Sequence, residues 1–273
     1  GWHQTFQPVT LQNPRKYGAP PFNVVVVHGG PGACGEMAPV ARELSSLFGV
    51  LEPLQTATTI DGQVKELEEA IKTHGNPPVA LVGHSWGAWL AFIFAAKNSS
   101  LVGKLVLVGS GPFEEKYASE IMPARLSRLP ENERNELAGL LKRMENQGEK
   151  DNDAIMDRVG DLISKSDHFD PLPLGLEPVE FRPEVYRGVW PEASRLRQSG
   201  ELLEMGKKIT CPVVAIHGDH DPHPADGVRI PLEKVLKDFK FVLLEKCGHD
   251  PWLEKHAREK FFEVLKGELG SKI

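Results

Sequence analysis

Cysteine is scarce in this chain: Cys34, Cys211 and Cys247 are the only three in 273 residues. An odd count without framework spacing excludes a disulfide-stapled secreted fold. A basic surplus is also lacking, since 32 Lys and Arg face 38 Asp and Glu for a net charge of −6. Nucleic-acid binding needs a concentrated basic surface, and there is neither a basic run nor a Cys/His finger spacing, so no nucleic-acid partner is expected. No apolar stretch reaches the roughly 18 residues that cross a bilayer, so no membrane span is expected. The first 25 residues lack the apolar core of a signal peptide, which leads to the expectation of a cytoplasmic protein. Neither a Gly-x-Gly-x-x-Gly nor a Walker loop occurs, so no cofactor is expected. Internal repeats and low-complexity tracts are absent too.

What remains is an ordinary globular composition, 40% hydrophobic and 26% charged, and a regular alternation. Apolar strand-like runs at Phe22–Val27, Val50–Leu54, Val79–Val82, Lys104–Val108, Pro212–His217 and Phe239–Leu244 alternate with helical patterns. Those patterns are Glu36–Phe48, a helix capped by Asp61, one that begins at Trp86, Asp226–Lys237 and Trp252–Leu265. Continuous apolar strands separated by helices predict an α/β fold with a doubly wound, mostly parallel sheet. Residues 1–21 carry apolar positions among prolines and read as a short edge hairpin. Between residues 113 and 200 strand patterns vanish and charged helical stretches (Arg134–Gln147, Asp153–Ser164) take over. That span holds about 18 Asp and Glu against about 13 Lys and Arg, so most of the net charge sits there. It reads as a helical insertion into a core made of residues 1–112 and 201–273.

The chain's most informative stretch is Gly83-His84-Ser85-Trp86-Gly87, directly after a buried strand and directly before a helix. A short strand-to-helix turn forces the central serine into a strained conformation and exposes its hydroxyl at the sheet's carboxyl edge. Glycine fits on either side because a side chain there would collide with the neighbouring elements. Acyl transfer by serine also needs a base, an acid that orients the base, and amides that receive the oxyanion. His249, after the last strand, is the candidate base. Asp221, after the preceding strand, is the candidate acid, with Asp219 as the alternative. The order Ser85, Asp221, His249 agrees with that of such sites on α/β sheets. For the oxyanion the candidate donors are the N–H groups of Trp86 and of Gly30, with Gly29 as the alternative, in the loop His28-Gly29-Gly30-Pro31-Gly32.

Together these motifs resemble the α/β-hydrolase family. His28-Gly29-Gly30-Pro31-Gly32 combined with Gly83-His84-Ser85-Trp86-Gly87 is similar to the proline iminopeptidase branch and its relatives, the capped esterases and lipases. The resemblance implies a serine hydrolase that removes N-terminal residues, typically proline, from short peptides, with a carboxylesterase or lipase-like enzyme as the alternative. It implies that residues 113–200 are a helical cap over the site. Relatives carry an Asp-x-Arg-Gly-x-Gly-x-Ser loop, whereas Leu51–Thr59 here has neither the arginine nor the glycines. Peptidase action calls for a carboxylate to bind the substrate ammonium, and Glu177, Glu180 and Glu184 are the candidates, Glu180 foremost. Trp190 and Trp252, beside Trp86 and Trp89, are candidates for an apolar acyl pocket.

Three rival readings come from the same residues. His217-Gly218-Asp219-His220-Asp221-Pro222-His223 is rich in metal-ligand types, but it lacks the helical spacing of a ligand pair and Pro222 restricts it. A non-catalytic binding protein on a hydrolase fold would be expected to lack one member of the triad. Cys34 beside the glycine loop could be a nucleophile, yet its segment has no base and a small buried cysteine is the plainer reading. Oligomeric state is left open.

Overall fold

Four successive valines, 24 to 27, show how the chain is layered. In the computed structural model, which describes residues 12–146, 152–173 and 178–270, they lie in a strand buried on both faces. The strands are β1 (Arg15–Tyr17), β2 (Phe22–Val27), β3 (Ala33–Cys34), β4 (Gly49–Glu52), β5 (Val79–His84), β6 (Val102–Val108), β7 (Glu180–Phe181), β8 (Val213–Gly218) and β9 (Phe239–Leu244). Seven form one sheet in the order β1-β4-β2-β5-β6-β8-β9. Only β1 against β4 is antiparallel; the other five pairs are parallel.

The helices are α1 (Ala38–Leu44), α2 (Ile60–His74), α3 (Trp86–Lys97), α4 (Glu115–Ala118), α5 (Ile121–Arg128), α6 (Glu131–Asn146), α7 (Asn152–Asp167), α8 (Pro183–Ser199), α9 (Glu201–Glu204), α10 (Asp226–Val235) and α11 (Arg258–Gly270). Side chains alternate across a strand, so Val25 and Val27 join Leu67 of α2, Phe92 of α3 and Val228 of α10 on one side of the sheet. Val24 and Val26 join Val40 and Leu44 of α1 and Phe261 and Leu265 of α11 on the other. The α/β fold with a mostly parallel sheet is therefore as expected. No described helix is long and apolar enough to cross a membrane.

Several boundaries differ from expectation, each for a local reason. The helix cap is Thr59, not Asp61: its extended backbone lets the hydroxyl accept the Gly62 N–H at 3.0 Å, while Asp61 sits inside the first turn, where its charge suits the helix dipole. The closing helix does not run from Trp252. Pro251–Leu253 forms one 3-10 turn, and Glu254 then leaves the helical path because its buried carboxylate accepts backbone N–H groups from Gly248, Phe169 and Asp170. Of the edge hairpin expected over residues 1–21, only β1 is seen, paired with β4; residues 1–11 lie outside the described residues.

Between residues 113 and 200 the described helices are α4–α8, and the described strand is β7, which pairs with β3 beside the glycine loop. Leu129, Leu137, Ile155, Val159 and Leu162 form a small core of their own for α5–α7. In contrast, Val185, Val189 and Ala193 of α8 belong to the main core.

Candidate active site

Ser85 stands where β5 ends and α3 begins, with φ 57° and ψ −119°. Such a backbone persists in a non-glycine residue only when its surroundings over-determine it. Here the Ser85 N–H is bonded to the Val108 carbonyl of β6 at 3.0 Å, and residues 86–95 of α3 are all buried. The flanking glycines have no room for a side chain. A Cβ on Gly83 would lie 2.2 Å from the Gly87 carbonyl oxygen, and one on Gly87 would lie 2.1 Å from that of Val27. Both obstacles are backbone and cannot swing aside. Gly87→Ala is accordingly expected to lower the unfolding free energy by about 3 kcal/mol, the upper end of ordinary overpacking, measurable as a shift of the urea midpoint.

Asp221 follows β8 and is buried. Its Oδ2 accepts from His249 Nδ1–H at 2.8 Å, while its Oδ1 accepts from both the backbone N–H and Nδ1–H of His223, at 2.9 and 2.7 Å. Burial penalises this carboxylate, but the imidazoles of His249, His223 and His217 outweigh that penalty and hold its pKa well below the usual range. Asp219 turns elsewhere and accepts the Cys247 N–H at 3.1 Å. Of the two acids, Asp221 is the one that meets His249.

Burial pushes His249 down, yet the charge and hydrogen bond of Asp221 prevail, and its pKa lies above the ordinary 6.5. Its loop is held from both sides, because its N–H donates to the Asp167 carbonyl at 2.9 Å and its own carbonyl accepts from His84 Nε2 at 2.9 Å. The His223 ring stands 4.6 Å from that of His249. Burial lowers its pKa to about 4, so it is neutral at pH 7.

In the glycine loop the N–H of Gly29 is committed to Glu36 Oε1 at 3.0 Å, whereas Gly30 faces the cavity that Ser85, Trp86 and His249 also line. Gly30 has φ +117°, and a Cβ there would sit 2.4 Å from the Gly32 nitrogen. Beneath the loop, His28 Nε2 accepts the Gln55 N–H at 3.0 Å and its Nδ1 donates to the Gly29 carbonyl at 2.9 Å. That pattern requires a neutral ring, in line with a pKa lowered by burial. Gln55 also donates to the His28 carbonyl at 2.8 Å and accepts Trp86 Nε1–H at 3.0 Å. The segment that lacks the arginine and glycines of its relatives thus ties the glycine loop to the first turn of α3 through a glutamine.

The cavity has a volume of about 670 Å³. One wall is a stack in which Tyr186 lies 6.2 Å from Trp190 and Trp190 lies 5.8 Å from Trp89, both pairs nearly parallel. The Arg197 guanidinium lies over both tryptophans and is paired with Glu115 at 2.8 Å. Arg125 and Asp167, joined by two bonds of 3.0 and 2.9 Å, line it too. Trp190 lines the cavity, and two other candidates do not. Trp252 is a core side chain, 2% exposed, with its ring edge-on to His84 at 4.7 Å. Glu180 lies in exposed β7, does not line the cavity and has Arg182 Nη2 at 3.5 Å. Its strand pairing with Cys34 fixes that orientation. Glu184 is exposed, and Glu177 lies outside the described residues.

Of the ligand types in residues 217–223, His217 and His223 gather at Asp221 and the others do not. His217 Nε2 donates to the His223 carbonyl at 2.7 Å and lies 3.6 Å from Asp221 Oδ2, Asp219 caps the turn at Cys247, and His220 packs against Phe169. Cys34 is buried, and burial raises its thiol to about 11, which makes it a poor nucleophile. Sequence reasoning assigned no role to Glu36, Gln55 or His84, and offered His223 only as a metal-ligand type. His84 is adjacent to the singled-out Ser85; Glu36 and Gln55 gave no signal beyond being polar residues next to apolar runs.

Sheet, elbow and cavity define a class. Residues 24–264 match the sequence profile of the Alpha/beta hydrolase family, and the chain belongs to that family. It is 28% identical over 270 residues to a proline iminopeptidase of Saccharolobus solfataricus, covering 89% of this chain and 83% of that protein. It is 25% identical over 277 residues to a 2-hydroxy-6-oxononadienedioate/2-hydroxy-6-oxononatrienedioate hydrolase of Cupriavidus pinatubonensis, covering 93% and 89%. Among solved structures, VinJ shares the fold with a TM-score of 0.72 at 19% identity, over 95% of both chains.

Proposed function

We propose that this hydrolase is a serine hydrolase that cleaves an ester or amide bond of a small substrate through an acyl-enzyme. The observation that carries the proposal is the Asp221–His249 hydrogen bond of 2.8 Å at the rim of the cavity into which the strained Ser85 opens. Ser85 Oγ attacks the carbonyl carbon while its proton passes to His249 Nε2. The carbonyl oxygen becomes an oxyanion, received by the N–H groups of Gly30 and Trp86, each such donor being worth about 3–4 kcal/mol of barrier. Collapse breaks the bond to the leaving amine or alcohol, which takes the proton from His249. Water then attacks the acyl-enzyme, gives a proton to His249, and the acid departs as Ser85 recovers its own. Asp221 holds the imidazole in the tautomer with hydrogen on Nδ1 and stabilises the cation it becomes.

Residues 113–200 act as the cap of this site, with Ile121, Arg125, Met156 and Trp190 lining the cavity that Ser85 also lines. For the substrate, the proline iminopeptidase relative supports an aminopeptidase, and the CH₂ face of a compact ring such as pyrrolidine can pack on the tryptophan wall. Glu180 and Glu184 do not line the cavity, whereas Asp157 and Asp161 of α7 do, so carboxylates for a substrate ammonium are at hand; the alternative is a carboxylesterase. Aminoacyl arylamides (proline included) assayed beside short-chain aryl esters separate the two by their kcat/KM. A serine-directed fluorophosphonate that labels residue 85 stoichiometrically tests the mechanism, and labelling elsewhere refutes it. Because Asp221 raises the pKa of His249, which must be neutral to act as base, kcat/KM is expected to fall on the acid side with a half-point above 6.5.

A further inference from the structure

His84, between Gly83 and the nucleophile, is fully buried, yet every polar atom bonded to its ring is an acceptor. Nδ1 meets Glu36 Oε1 at 2.6 Å. Nε2 meets the His249 carbonyl oxygen at 2.9 Å and Asp250 Oδ1 at 3.1 Å. A carbonyl can only accept, so Nε2 carries a hydrogen. The Glu36 oxygen already accepts the Gly29 N–H, so Nδ1 carries one as well. A ring with hydrogen on both nitrogens is a cation.

The pattern continues outward. The second oxygen of Asp250 lies 3.0 Å from His168 Nε2, and His168 Nδ1 donates to the Ser164 carbonyl at 2.5 Å. Glu36, His84, Asp250 and His168 thus form a row of alternating charge in which the fully buried His84 is paired on both sides by partly buried carboxylates. The row runs from the glycine loop, behind the nucleophile, through the base's loop to the end of α7. Burial opposes charge on both histidines, but the flanking carboxylates prevail. His84 is raised well above 6.5 and His168 to about 9.

We propose that His84 is a positioning residue, a permanent buried histidinium whose Nε2–H holds the carbonyl of His249 and whose charge keeps the His249 ring free of a proton until Ser85 supplies one. This rests on the serine-hydrolase reading. The two rings are 4.6 Å apart, centre to centre, close enough for like charge to disfavour a second cation. The groups facing His249 are Asp221 and His223 from the β8 side, Asp250 beside it, His84 from β5, and Asp167, whose carbonyl accepts the His249 N–H and whose carboxylate is paired with Arg125. Asp221 makes His249 a stronger base and His84 limits that effect. Without it, the base would hold its proton to higher pH and the acid limb of activity would move toward neutrality.

Two measurements on the full chain test this. In the wild type with ¹⁵N-labelled histidine, both ring nitrogens of His84 are expected to be protonated at pH 7; one unprotonated nitrogen overturns the proposal without reference to any substrate. His84→Gln keeps an amide N–H for the His249 carbonyl but removes the charge. Its half-point for fluorophosphonate labelling of Ser85 is expected to rise by about one pH unit. Uniform slowing with an unmoved half-point, the mark of a merely structural role, overturns it. If the wild type itself takes no label, it is the serine-hydrolase reading that fails, a result distinct from any fault of the variant. Should His84→Gln not fold, the nitrogen spectrum of the wild type decides.

Discussion

Ser85→Ala is expected to lower kcat by about 10⁶-fold on any substrate the wild type turns over, the loss typical when a triad nucleophile is removed. The donors of Gly30 and Trp86 and the tryptophan wall would survive, so KM is expected to stay within a few-fold and a residual rate above that in water to persist. The fold is expected to survive as well. Alanine carries the same Cβ through the same positive φ, and the bond from the residue 85 N–H to the Val108 carbonyl involves only backbone. Steady-state kinetics with a circular-dichroism melt checks both halves. Activity within tenfold of wild type would refute Ser85 as nucleophile, and an unfolded variant would refute the account of the elbow.

Asp221→Asn is expected to cost about 10⁴-fold in kcat at neutral pH. The carboxylate now accepts three N–H groups, two from His223 and one from His249, on two oxygens. An amide has only one accepting oxygen. If that oxygen stays with His223, the amide NH₂ faces His249 Nδ1 and drives it to the opposite tautomer, with hydrogen on the nitrogen that must accept from Ser85. If it turns to His249, the two donors of His223 lose their acceptor in a buried place, which costs about 1–3 kcal/mol for each group left unmade. One arrangement loses catalysis and the other loses stability, so a urea titration beside the kinetics tells which is adopted. The effect should exceed that of Asp219→Asn, since among the described residues the Asp219 carboxylate accepts only the Cys247 N–H. A larger loss in the Asp219 variant would reassign the acid.

Much of the site was legible because the elbow is a local structure. A buried strand, two glycines and a helix in immediate succession leave the serine one conformation, and Gly83 and Gly87 each meet backbone within 2.2 Å where a side chain would go. Loops at the ends of parallel strands were legible for a similar reason, since β2, β5, β8 and the strand before His249 all deliver their carboxyl ends to one rim. The choice between Asp219 and Asp221 was not legible. Two residues apart in one turn, they differ only in which neighbour they face. Glu180 lies off the cavity in β7, which pairs with β3, a contact across 146 residues that no local pattern announces.

Periodicity, glycine placement and chain order thus carried the layered α/β architecture, the elbow and the order of the reactive residues, since each depends on neighbours within a few positions. Tertiary folding alone set the partners: which acid meets His249, which glycine of the loop faces the cavity, which tryptophans line it, and that His84 sits among acceptors. Hydrogen-bond partners and burial arise from segments meeting across the sheet, and a buried imidazole takes its charge from whatever acceptors the rest of the chain brings to it.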